Sequence, residues 1–175
     1  MSIRLQLLQM SSSDKANLIE EQVLRHRDLL PELMACFFSD EVTVAQRAAF
    51  VLGHFGRKEP ELLLPWLAEI VDAIEHPVHQ AIRRNGVRYF AELDAPIDAE
   101  LEERMIKLCG KFVADANSPT AIGAFSMQFV ADRAERYPAA ARKLCADLRK
   151  RMPKASRGFQ NRGAKVLAKL EPEKA

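Results

Sequence analysis

Leu29-Leu30-Pro31-Glu32-Leu33 recurs 34 residues later as Leu63-Leu64-Pro65-Trp66-Leu67, and this recurrence decides how the rest of the chain is read. After the first copy, Val44, Ala48, Val51, Leu52 and Phe55 follow the i, i+3, i+4 spacing of one helix face. Leu101, Met105, Leu108, Cys109 and Phe112 do the same further on. Small residues keep the phase: Cys36, Ala73, Cys109 and Cys145 are spaced by 37, 36 and 36 residues, each in the first helix of a pair. In the second helices, Ala48-x-x-Val51 aligns with Arg84-x-x-Val87, Ala124-x-x-Met127 and Ala164-x-x-Leu167. Two helices per ~36–40 residues marks a stacked repeat, because one helix pair cannot bury its apolar face alone. No period-two alternation rich in Val, Ile and Thr persists, so strands are not expected.

Proline and small polar residues set the expected boundaries. Pro60, Pro77, Pro96, Pro119, Pro138 and Pro153 each fall near a helix end, where a missing N–H costs nothing. Ser118 before Pro119 reads as an N-cap, and so does Ser156. The expected fold is all-α, a right-handed α-α superhelix of about nine helices: 13–27, 30–39, 42–56, 60–75, 77–93, 97–115, 119–136, 138–152 and 156–170. They group into four pairs at about 29–58, 60–94, 97–136 and 138–171, with helix 13–27 as an N-terminal cap, in one domain covering 1–175. Gly53, Gly86, Gly123 and Gly163 lie in or near second helices, where they would allow close contact.

Leu29–Leu33, the run Val44-x-x-Arg47-Ala48-Ala49-x-x-Leu52-Gly53, and Leu63–Leu67 together resemble the HEAT-repeat family. The second unit keeps Val78 and Arg83 but has Arg84 and Asn85 where small residues are usual, and the third and fourth keep only the apolar skeleton. The chain is also similar to small stand-alone bacterial HEAT-like proteins with no assigned activity. The resemblance spans about 140 of the 175 residues and implies an α-solenoid; such repeats serve scaffolds, transport factors and some DNA-repair enzymes, and the role expected here is a non-catalytic binding or scaffold module. An enzymatic branch of such proteins, the DNA-alkylation-repair glycosylases, would place aromatics and an acidic residue on a concave face. Here Trp66, with Glu69 and Asp72 one and two turns on, is the only counterpart.

Composition narrows the function classes. The chain is 48% apolar and 29% charged, which excludes intrinsic disorder, and no apolar run reaches the ~20 residues of a bilayer span. Three scattered cysteines offer neither a disulfide framework nor a CxxC metal motif, so a reducing cytoplasm is expected. The first ten residues make a poor secretory signal. The cysteines, flanked by apolar residues, read as packing rather than nucleophiles. His76-Pro77-Val78-His79, near Asp72 and Glu75, lacks a completing ligand and reads as surface or capping histidines. His26 and His54 read as packed against apolar faces, and Glu100, Glu102 and Glu103 as a solvated run. No phosphate loop, GxSxG or HExxH is present, and no catalytic residue, metal or cofactor is assigned.

Charge carries the sharpest functional signal. The net +2 conceals −1 over 1–60, −6 over 61–132 and +9 over 133–175. Arg142, Lys143, Arg149, Lys150, Arg151, Lys154, Arg157, Arg162 and Lys165 crowd the last unit, and Arg157, Asn161 and Lys165 share one helical face. The candidate anion-binding set is Arg47, Arg83, Arg84, Arg88, Arg157, Arg162 and Lys165, on second helices that would line a concave surface. A protein is the expected partner and nucleic acid the alternative, with base stacking weakly signalled because aromatics are isolated.

Overall fold

A computed structural model describes residues 2–171. In chain order the helices are α1 (Ile3–Leu8), α2 (Ser13–Arg25), α3 (Leu30–Phe37), α4 (Val42–Lys58), α5 (Leu67–Glu75), α6 (Gln80–Glu92), α7 (Ala99–Ala114), α8 (Thr120–Asp132), α9 (Pro138–Arg151) and α10 (Arg157–Leu170). Short 3-10 segments cover Arg27–Leu29, Pro60–Trp66 and Met152–Lys154. No strand occurs among the described residues, so the chain is all-α.

Among the described residues ten helices replace the expected nine. The addition is α1, a short helix started by Ser2, whose hydroxyl accepts the Leu5 N–H at 3.3 Å. Ile3 and Leu7, one turn apart, are fully buried, so this short stretch, broken by Gln6, is a core element. The 60–75 helix also divides. Pro65 has no N–H to give to an α-turn, so Pro60–Trp66 winds as 3-10 before α5 begins. At α6 the start moves from Pro77 to Gln80, because His79 caps it by accepting the Ala81 N–H at 3.1 Å. Ser118 does not cap α8, whose N-cap position is Pro119, whereas Ser156 does cap α10. His26 is exposed rather than packed.

The chain divides into two compact units, Met1–Leu93 and Asp94–Ala175. In the first, α4 is the central helix: it packs on α3, α6, α2 and α1. Its sequence explains this, since Ala45, Ala48 and Ala49 let neighbours approach while Val44, Val51, Leu52 and Phe55 fill the space between. Gly53 brings α4 close to α6, because a Cβ there would lie 2.3 Å from the Asn85 side-chain oxygen. In the second unit α7 packs on α8 and α9, and α10 on α8. Gly123 plays the matching part there, with a Cβ only 2.8 Å from the Phe159 ring. Gly86 against Ile74 and Gly163 against Met152 are similarly tight. Cys36, Cys109 and Cys145 are all buried, and burial pushes the Cys109 thiol up to about 12.

Candidate functional site

A guanidinium carries five N–H donors, and helix C-termini leave carbonyls without partners, so an arginine aimed at a helix end is a tie before it is a binding group. Arg47 of α4 donates to the Leu7 and Leu8 carbonyls at 2.8 and 2.7 Å, closing α1. Arg83 of α6 donates to the Ile74 and Glu75 carbonyls at 3.0 and 3.1 Å, closing α5. Arg151 of α9 does the same for α7, reaching Phe112, Val113 and Ser118 at 3.1, 2.8 and 2.8 Å, and lies over the Phe159 ring at 4.1 Å. Its burial lowers its pKa.

The other candidates divide by unit. In the first, Arg84 is exposed and Arg88 pairs with Glu92 at 2.8 Å. In the second, Arg157, Arg162 and Lys165 all lie on the solvent side of α10, whose opposite side buries Phe159, Gly163 and Val166. Arg162 donates to the Gln128 side-chain oxygen at 3.0 Å. The Arg157 and Lys165 side chains are exposed and make no hydrogen bond or ion pair among the described residues. Lys169 extends the row and pairs with Asp132 at 2.6 Å. From Arg157 to Leu170 the helix carries no acidic residue.

At the start of α10 the row meets a cleft of about 400 Å3, framed by the C-terminal ends of α7 and α9. Lys150, Lys154, Thr120 and Ser156 line it, with the two hydroxyl oxygens 2.7 Å apart. Asp147 is the one carboxylate in its wall, and Lys143 holds it at 2.6 Å. Lys150 and Lys154 were visible in the sequence only as members of a basic crowd; their placement beside the α10 row follows from the short Met152–Lys154 segment.

The acidic run departs most from its reading. Glu103 is exposed and pairs with Lys107, as a solvated residue should, yet Glu102 is only 1% exposed. Arg133 and Arg136 each donate to Glu102 Oε1 at 2.6 Å, and the Tyr137 hydroxyl donates to Oε2 at 3.2 Å. Arg133 also lies over the Phe129 ring at 3.8 Å. This buried cluster joins α7 to the end of α8. His54 is half-buried beside Phe50, and burial lowers its pKa. Among the described residues no three His, Cys, Asp or Glu side chains converge as metal ligands, and no helix is long and apolar enough to cross a membrane.

Comparison with known proteins adds one finding. A family model described as HEAT repeat domain matches residues 3–170, which takes in both units and also α1. Neither a curated protein nor a solved structure matches the chain.

Proposed function

We infer that this chain, which belongs to the HEAT repeat domain family, is a non-catalytic binding module whose second unit offers the outer face of α10 to an acidic segment of a partner protein. HEAT repeats generally mediate protein–protein interaction, which supports a protein partner. One observation carries the charge preference: Arg157, Arg162, Lys165 and Lys169 share a helix with no acidic residue, beside Lys150 and Lys154. Cations on one face attract an anion over the ~8–10 Å reach of unscreened charge and orient it before contact. Arg47 and Arg83 are left out of this reading because their guanidiniums are tied to carbonyls. An acidic peptide fits the face better than single-stranded nucleic acid. The sole aromatic of α10, Phe159, is buried, so the helix offers no platform on which bases would stack.

The test is a titration of a labelled Asp/Glu-rich peptide and of a DNA duplex, each with the parent chain and with Arg157→Glu/Lys165→Glu. The peptide should bind the parent and lose at least tenfold in affinity with the double variant. Equal affinity for parent and variant refutes the assignment of the face. Preference for the duplex, with a steep fall between about 50 and 200 mM salt, would replace the protein partner with nucleic acid.

A further inference from the structure

We propose that the cleft between the C-terminal ends of α3 and α5 is a docking site for a cationic amphipathic helix of a partner protein. In the second unit the two first helices, α7 and α9, pack against each other; their counterparts α3 and α5 have no such extensive contact. The gap they leave is about 460 Å3, within the ~300–1,000 Å3 usual for ligand-binding clefts. Phe38, Pro77 and Val78 supply an apolar floor, and Val78 stands 40% exposed within it. With the exposed His76 imidazole neutral, the charges around this floor have one sign. Asp40 follows α3 on one side, and Glu69 and Asp72, one turn apart on α5, stand on the other, all three exposed.

An apolar floor between two acidic lips specifies its occupant. The guest needs an apolar stripe for Phe38 and Val78 and basic residues on both borders of that stripe, which a helix supplies with apolar anchors at i, i+3, i+4 and i+7. A neutral apolar guest would gain nothing from the acidic lips, and an acidic one would be repelled. The cleft at the C-terminal ends of α7 and α9 in the second unit is lined instead by Lys150, Arg151 and Lys154, with Asp147 its one carboxylate, so the acidity is particular to the α3–α5 cleft. A folded second copy of the chain does not fit. Its basic helices α9 and α10 already bury their apolar sides, Leu144, Leu148, Phe159 and Val166, in their own core. This site lies in the other unit from the α10 face and prefers the opposite charge, so it stands or falls independently of that reading.

The experiment uses the full chain and a fluorescein-labelled 18-residue Leu/Lys helix with one Leu stripe, followed by anisotropy at about 100 mM salt. We expect saturable one-to-one binding, and none by the matching Leu/Glu helix. Glu69→Lys/Asp72→Lys and, separately, Val78→Asp should each weaken binding at least tenfold, while Arg157→Glu/Lys165→Glu should not weaken it. Circular dichroism checks folding; because Glu69 and Asp72 are exposed, their variant remains informative if Val78→Asp unfolds. Absence of saturable binding, equal binding of the Leu/Glu helix, or affinity unchanged by the charge reversal overturns the proposal. So does loss caused by charge reversal alone while a folded Val78→Asp binds as the parent does, which would mean diffuse attraction without a groove.

Discussion

Replacing Glu102 by Gln tests whether the buried cluster holds the second unit together. The carboxylate is 1% exposed and is the acceptor for three donors. Removing one partner of a buried ion pair costs about 3–5 kcal/mol, because the other charge is left without compensation. The surroundings place this case at the low end. The Arg136 side chain is 63% exposed and can turn to water, and Gln retains one carbonyl oxygen as an acceptor. The Arg133 side chain is 10% exposed and cannot turn away, since it is bound over Phe129 and beside its carbonyl. The expected loss is about 3 kcal/mol, which at ~2 kcal/mol per M lowers the urea midpoint by about 1.5 M. Far-UV circular dichroism is the right probe: the single Trp, Trp66, lies in the first unit and Glu102 in the second. Glu103→Gln is the control, with an exposed pair to Lys107, and should leave the midpoint where it was. Glu102→Leu/Arg133→Met should recover most of the loss, since a buried pair replaced by apolar residues is close to neutral. A midpoint for Glu102→Gln within experimental error of the parent would refute the reasoning.

Gly86→Ala should destabilise by about 1–3 kcal/mol, because its Cβ would lie 2.6 Å from the fully buried Ile74, whereas Gly110→Ala meets nothing within 4 Å and should gain roughly 0.5–1 kcal/mol; urea melts read both. Leu52→Ala removes a side chain that is 4% exposed on the central helix of the first unit, and should cost about 2–4 kcal/mol by the same measurement. Cys109, pushed up to about 12 by burial, should not react with Ellman's reagent at pH 8 until the chain is unfolded, when three thiols should titrate.

Helix existence is legible in this sequence because apolar spacing and punctuation agree over long stretches, as at Ser156 and α10. Burial of the three cysteines and crowding at Gly53, Gly86, Gly123 and Gly163 are legible for the same reason: small residues recur in phase where helices meet. The reading fails where the cause is distant. α1 escapes because Gln6 interrupts a six-residue helix whose stability comes from Ile3 and Leu7 packing on α3 and α4. Glu102 looks like Glu100 and Glu103 until Arg133, 31 residues on, is placed beside it. Arginine poses the same difficulty at the candidate site. Nothing adjacent in sequence tells Arg47 and Arg83, tied to carbonyls, from Arg157, which is free among the described residues.

The tie made by Arg151 has an engineering consequence. It holds Phe112 and Val113 on one flank of the bend after α7 and Ser118 on the other, from a position 33 to 39 residues away. Ala116 and Asn117, at the tip, are exposed and contribute nothing to that anchorage. A foreign epitope spliced between them would therefore be carried on fixed posts, leaving α7 and α8 undisturbed.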